Sequence, residues 1–326
     1  MRLIVRSLLA AAVLAVTPLT DCFGADTIRV AVQKTGTFAW ELAVIRAHGL
    51  DKKANLTIEA TELASPEAGK IALRAGNADV MVSDWLWVSR ERTLGAKLAF
   101  YPYSSALGAV MVPASSPIRS LTDLRGRKLA VAGGPIDKSW LLLQASLKQE
   151  GLDLKSGATI VYGAPPLLAA KALSGEMDAV INYWNFCAAL EAKGFRRVAG
   201  IEDILPKLGA KGRIAMVGYV FDEGWAKANR DAVERFITMT RGAKDILTTS
   251  DDEWQKIAPL TGAADTATLH AYRDRYREGI PRRPIADEEA DAQVLYRVLA
   301  RIGGSELVGS ASELEPGTFY HAIPGD

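Results

Sequence analysis

The side chains that could do chemistry in this sequence are mostly aromatic rings and a few charged groups, and they follow predicted strands. Ring faces hold flat heterocycles and organic cations, and a carboxylate can pair with a cation. For each tryptophan a place in the core is the alternative, and for each aspartate the alternative is capping a helix. The candidate ligand-binding residues are Phe38, Trp40, Asp84, Trp85, Ser105, Gly134, Asp137, Lys138, Trp140, Tyr183 and Trp184.

Motifs for catalysis or metal binding do not occur in the sequence. The histidines His48, His270 and His321 are scattered, without an H-E-x-x-H, C-x-x-C or EF-hand pattern. A phosphate-binding loop and a G-x-S-x-G turn are missing too. Cys187 falls on a predicted helix and is interpreted as a small buried apolar residue. We therefore predict a protein that is not an enzyme and has no catalytic residue, metal site or cofactor.

Length and charge restrict the class of protein further. The chain has 326 residues, of which 49% are hydrophobic, with 39 basic against 38 acidic side chains. That length is typical of about two domains. A net charge of +1 gives no basic surface for nucleic acid, so we predict that the protein does not bind DNA or RNA. We also expect a monomer.

The first residues are typical of a secretory signal peptide. Two arginines precede an apolar stretch at residues 8–16, and small residues follow near Gly24. We predict that residues 1–24 are removed and that the protein is exported. Lipoprotein anchoring at Cys22 is disfavoured because acidic Asp21 precedes it.

Beyond the leader, β-branched apolar runs alternate with amphipathic helical patterns, which indicates α/β lobes with mainly parallel sheets. We predict one lobe from residues 25–110 and 213–326 and a second from 111–212, with the C-terminal helices on the first lobe. The chain then crosses twice between the lobes. Because ligands bind at the carboxyl ends of strands in open α/β sheets, we expect the site in the cleft between the lobes, with closure about a hinge.

The block from residue 120 to 186 resembles a known family. It contains DLRGRKLAV, then GLD at 151–153, SGEMDA at 174–179 and YWNF at 183–186. These motifs are similar to the second lobe of periplasmic solute-binding proteins of the nitrate, taurine, alkanesulfonate and thiamine-pyrimidine type. The resemblance implies a type II periplasmic binding fold with two hinge crossings. It also implies a small-molecule ligand delivered to an inner-membrane ABC permease and its ATPase.

Two departures from the family pattern bear on the ligand. Pro135 and Asp137 stand where oxoanion binders have a Ser-rich turn, and Trp184 replaces a glutamate. Pro135 removes an N–H donor and Asp137 competes for the others, so an anion is disfavoured, although Lys138 could restore anion affinity. The prediction is an aromatic or cationic ligand. An enzyme of the pyrimidine-synthase type, a periplasmic partner without a transport role, and a metal chelate as ligand remain alternatives.

Overall fold

The strands and helices follow the alternation expected from the sequence. The computed structural model describes residues 25–33, 36–321 and 323, so the predicted signal peptide lies outside the described residues. The strands are β1 Asp26–Gln33, β2 Leu56–Leu63, β3 Val80–Asp84, β4 Leu98–Ser104, β5 Ala109–Pro113, β6 Lys128–Ala132, β7 Thr159–Gly163, β8 Ala179–Asn182, β9 Phe195–Gly200 and β10 Val217–Asp222. The helices are α1 Phe38–Ala47, α2 Leu50–Lys53, α3 Pro66–Arg74, α4 Trp85–Thr93, α5 Lys138–Gln149, α6 Leu154–Gly157, α7 Pro165–Leu173, α8 Trp184–Ala192, α9 Glu223–Ala228, α10 Arg230–Thr249, α11 Asp251–Thr261, α12 Thr266–Glu278 and α13 Ile285–Val308.

Two five-stranded sheets form the centres of two lobes. The first sheet has the order β2-β1-β3-β10-β4 and the second the order β7-β6-β8-β5-β9. In the first sheet only β10 runs antiparallel to its neighbours, whereas in the second β5 is antiparallel to both β8 and β9. The chain passes from β4 to β5 and returns from β9 to β10, which confirms the predicted two-lobed α/β architecture with two crossings.

Both crossings lie at the carboxyl ends of the parallel strands. Val217, the first residue of β10, pairs with Asp84 and Ser104 at the ends of β3 and β4. In the second sheet Ala109, the first residue of β5, pairs with Asn182 at the end of β8. The strand ends of the two lobes therefore face each other beside the two connections.

Local sequence signals fix the helices that begin at this edge. Asp84 and Asp137 precede α4 and α5, and the side chain of each accepts a hydrogen bond from a main-chain N–H in the first helical turn. Ser65 does the same for α3, where Pro66 occupies the first helical position, which a proline tolerates. These caps place the starts of three helices at the interlobe edge.

The C-terminal helices contact both lobes, so the prediction that they pack on the first lobe describes only part of the arrangement. α12 packs against α8 of the second lobe, and α13 lies against α4 of the first lobe and α5 of the second. Arg275 of α12 pairs with Glu191 of α8 through two hydrogen bonds of 2.6 and 2.9 Å. Both helices therefore span the lobe boundary.

Candidate functional site

An ion pair joins the two lobes at the edge where the strands end. The Nζ atom of Lys138, at the start of α5, lies 3.2 Å from Oδ2 of Asp84, at the end of β3. The Asp84 side chain is 14% exposed and that of Lys138 is 34% exposed, so solvent still reaches the pair. The sequence placed both residues near the cleft, and the structure brings them into contact.

Two aspartates occupy the helix starts that face this cleft. Asp84 Oδ1 accepts the Trp87 N–H at 2.9 Å, and Asp137 Oδ1 accepts the Trp140 N–H at 3.1 Å. Free N–H groups at a helix start are what attract an anion, and here a carboxylate already holds one at each helix. The two helix starts therefore present negative charge to the cleft.

The charges in this cluster influence one another. Burial raises the pKa of Asp84, but the Lys138 charge and the Trp87 N–H outweigh it, so the Asp84 pKa is below its usual range. The Asp84 charge raises the pKa of Lys138 despite burial, and Asp137 adds to this effect. Burial raises the pKa of Asp137 and outweighs the opposing effect of Lys138. The cluster thus stabilises an ammonium group between two carboxyl groups.

Tyr183 lies next to the ion pair and has exposed aromatic surface, and half-buried Trp87 follows Asp84 by three positions. Tyr183 follows β8, is 39% exposed and has its pKa raised to about 12, first by burial and then by the Asp137 charge. Its hydroxyl lies close to Gly133, where a Cβ atom would be 2.6 Å from Tyr183 Oη and 2.7 Å from Asp137 Oδ2. Gly133 also has a φ of +83°, so a side chain there is excluded on two grounds.

Trp87 and Lys70 lie close to Asp84 and are not among the ligand-binding residues predicted from the sequence. Trp87 is half-buried, with the Lys70 Nζ atom 5.2 Å from its ring centroid, and the Lys70 charge contributes to lowering the pKa of Asp84. The position of Trp87 as the capped third residue of α4, directly after Asp84, was the signal available in the sequence.

Other predicted site residues are buried away from the ion pair. Trp85 and Trp140 are both 0% exposed, and the Trp85 ring lies 6.4 Å from that of Tyr296 in α13. The Phe38 ring packs between Tyr103 and Tyr219 at centroid distances of 6.0 and 5.4 Å. These three residues offer no exposed surface to the cleft in this conformation.

Trp40 and Trp184 contact each other across the lobe boundary. Their ring centroids are 6.0 Å apart in an edge-on arrangement, and Trp184 also lies 6.4 Å from Tyr272 of α12. Trp40 is buried and packs against Trp254 at 5.8 Å. This cluster fills part of the interlobe space with the protein's own rings, on the side where α12 meets α8.

The two remaining predicted residues lie at loops near the lobe boundary. Gly134, half-buried with a φ of +95°, lies between β6 and Asp137 and has open space where a Cβ would stand. Ser105 begins the first crossing and is buried, with its hydroxyl donating to the Gly279 carbonyl at 3.2 Å. Gly134 thus lies beside the ion pair, whereas Ser105 faces the connection after α12.

The described part of the chain adds two general observations. None of its helices has the length and apolar character needed to cross a membrane. In the same residues, no three His, Cys, Asp or Glu side chains come together as a metal site would require.

Two α/β lobes with strand ends and charged helix starts facing across a cleft define the class of two-lobed binding proteins. The chain belongs to the NMT1/THI5-like family, whose model matches residues 42–253. No curated protein sequence matches it. The resemblance seen in residues 120–186 is thereby confirmed.

Three solved structures share the fold over most of their length. The chain is similar to the periplasmic aliphatic sulphonate binding protein SsuA from Escherichia coli, with 21% identity over 90% of this chain and 92% of that chain and a TM-score of 0.71. The alkanesulfonate-binding protein SsuA from Xanthomonas axonopodis pv. citri bound to MOPS gives 18% identity, 90% and 98% coverage and a TM-score of 0.66. The desulfurization enzyme DSZB gives 15% identity, 90% and 97% coverage and a TM-score of 0.58. Identities this low show a shared fold, and the type II prediction is confirmed.

Proposed function

We propose that this protein is the periplasmic solute-binding component of an ABC importer and that it holds a small organic cation between its lobes. The observation that carries the proposal is the interlobe pair, in which an ammonium group already lies 3.2 Å from Asp84 and near Asp137. The family and the fold shared with sulfonate-binding proteins support the solute-binding role.

A cationic solute suits the chemistry of the cluster. An amine or amidine could replace the Lys138 ammonium at Asp84 and keep the carboxylate paired. Tyr183 lies beside the ion pair and offers its ring to an adjacent flat group, where cation–π contact adds to the attraction. The Trp87 ring, which already lies near the Lys70 ammonium, is a second aromatic surface close to Asp84 in the chain. Lys138, whose side chain is one-third exposed, can turn to solvent when the solute takes its place.

A sulfonate, the ligand class named for two of the similar structures, suits the cluster less well. The N–H groups of Trp87 and Trp140 are held by Asp84 and Asp137, so they cannot be donated to an incoming anion without breaking a cap. An anion would also face the carboxyl groups of Asp84 and Asp137, and the Lys138 ammonium that could attract it is already paired with Asp84. We therefore place this chain apart from sulfonate binders in its ligand, while keeping their mode of capture by lobe closure.

The periplasmic location and the permease partner rest on the family and on the predicted leader at residues 1–24. No observation favours an enzyme or a partner protein without a transport role. Cys187 is buried, and burial raises its pKa to about 12, which leaves the thiol protonated. His48 and His321 pair with Glu253 and Glu289 away from the cleft.

The test begins with native mass spectrometry of freshly purified protein to identify a co-purified solute. Isothermal titration then compares primary amines, quaternary amines, amidines, aminopyrimidines and sulfonates. Asp84→Asn keeps the size of the side chain and removes its charge. Asp222→Asn is a matched control, because Asp222 also ends a strand and caps a helix through a tryptophan N–H at 2.9 Å, but it belongs to the opposite end of the first sheet.

Asp84→Asn should weaken the binding of the cationic solute about tenfold or more, since a hydrogen bond to a charged group contributes about 1.5–3 kcal/mol. Asp222→Asn should leave the affinity unchanged. Saturable binding of sulfonates alone, or equal affinity for a cation in both variants, would contradict the cationic site. No saturable ligand in the panel and no co-purified solute would count against the solute-binding role.

A further inference from the structure

A cavity of about 580 Å³, apart from the interlobe cleft, lies beside the two connections between the lobes. Its walls come from three connections: Ser105 in the first crossing, Arg213 in the return crossing, and residues 280–283 between α12 and α13. Ser104, which precedes Ser105, is two strands away from Asp84 in the first sheet, about 10 Å at the usual strand spacing. The cavity is therefore separate from the interlobe ion pair.

A buried carboxyl group with an unused oxygen lines this cavity. Glu288 is 1% exposed, and its Oε2 atom accepts the Ala215 N–H at 2.9 Å. Within the described residues its Oε1 atom has no hydrogen-bond partner. Burial raises the pKa of Glu288 to about 7, so the group is available near neutral pH as a carboxylic acid that can donate a hydrogen bond. Oε1 is therefore the oxygen of Glu288 that a ligand in the cavity could meet.

Positive charge predominates around the cavity. Four arginines line it against Glu278 and Glu288. Arg283 is paired with Asp291 and Arg277 with Asp251, each at 2.7 Å, whereas exposed Arg282 makes no ion pair within the described part of the chain. Ile280 and Pro281 add apolar surface between these groups. The lining thus combines a free guanidinium group, an apolar wall and a buried carboxyl group.

We infer that this cavity is a second binding site, which takes a small organic anion with an apolar body. The carboxylate of such a ligand pairs with Arg282, its apolar part covers Ile280 and Pro281, and a polar oxygen meets Glu288. The ligand is opposite in charge to the solute proposed for the interlobe cleft. The inference does not depend on that proposal, because the two sites use different residues and different chemistry.

The probe is benzoate, with benzylammonium as a probe of similar shape and opposite charge. Isothermal titration of the full exported chain should show saturable benzoate binding below about 10 mM. Arg282→Gln should weaken benzoate binding about fivefold to tenfold, because a charge-assisted pair is lost. Arg125→Gln is the matched control, since Arg125 is an exposed arginine of the second lobe away from the cavity.

Further variants separate the two sites and guard against misfolding. Asp84→Asn should leave benzoate affinity unchanged, whatever happens to cation binding. Glu288→Gln should also weaken benzoate binding. If this buried variant fails to fold, the exposed Arg282→Gln variant still tests whether benzoate binds in the cavity. The inference is overturned if benzoate does not bind saturably, if Arg282→Gln and Arg125→Gln bind it alike, or if benzylammonium binds there equally well.

Discussion

Replacing Lys244 by methionine should destabilise the first lobe strongly, because Lys244 neutralises a fully buried carboxylate. Glu41, in the first turn of α1, is 0% exposed, and its Oε1 atom lies 2.5 Å from Lys244 Nζ. Tyr219 and Tyr276 donate to the same carboxylate at 3.0 and 2.6 Å. The Lys244 ammonium also lies 4.1 Å from the Tyr103 ring centroid.

The size of the effect follows from what remains after the substitution. Removing one partner of a buried ion pair costs about 3–5 kcal/mol, because the other charge stays in a medium of low polarity. Protonating a free glutamic acid at pH 7 costs about 4 kcal/mol, which limits the penalty. The two tyrosine hydroxyls still solvate the carboxylate of Glu41. We therefore expect a loss of about 3 kcal/mol in the free energy of unfolding for Lys244→Met.

Urea unfolding at pH 7, followed by circular dichroism and tryptophan fluorescence, measures this loss, and coincident transitions show whether a two-state treatment holds. Lys256→Met is the matched control, because Lys256 is 66% exposed and its pair with Glu253 is worth less than about 1 kcal/mol. Adding Glu41→Gln to Lys244→Met should recover about 2 kcal/mol, since the uncompensated charge is then gone. A Lys244→Met effect no larger than that of Lys256→Met, or a double variant less stable than the single one, would refute the reasoning.

Three further predictions concern pH, the thiol and the tryptophans. Burial raises the pKa of Glu288 to about 7 in the folded protein, so ionising this side chain opposes folding. The protonated side chain makes its full contribution to stability below the glutamate pKa of the unfolded chain, and this contribution is lost as the pH rises through 7. Between pH 5 and pH 8 the free energy of unfolding should therefore fall by about 2 kcal/mol less in Glu288→Gln than in the unsubstituted protein, as measured by urea unfolding. The same pH profile in both proteins would contradict this. Cys187, which donates to two main-chain carbonyls, should react with a thiol reagent at pH 8 only after unfolding; rapid reaction of the folded protein would show the thiol to be accessible. Trp85→Ala should cost about 3–5 kcal/mol of stability, whereas Trp87→Ala should cost far less and weaken solute binding; calorimetry and titration together would expose the reverse pattern.

Most of the fold was readable from the sequence because its strands are buried and its helices carry their own start signals. Val30 and Val131 lie in apolar runs typical of central parallel strands, and Asp84 and Asp137 mark helix starts. β9, Phe195–Gly200, lies at a sheet edge and carries two adjacent arginines, so its sequence lacks the apolar pattern of the central strands.

The sequence predicts the charged residues of the candidate site better than its aromatic residues. Following strand ends located Asp84, Asp137 and Lys138, because strand direction alone fixes which edge they occupy. Trp85 is buried and packs against Tyr296 of α13, whereas Trp87, two positions later in α4, is half-buried. Contacts with a helix so distant in the chain leave no trace in a local pattern.

β10 lies between β3 and β4, so the first sheet can be completed only after β10 has been synthesised. β3 and β4 are not hydrogen-bonded to each other, and the strand that joins them is made only after the whole second sheet has left the ribosome. The lobe that begins the chain thus finishes last, and until then it presents two unsatisfied strand edges, a feature that invites mispairing. Until β10 has been synthesised, the N-terminal half therefore cannot reach a finished native form.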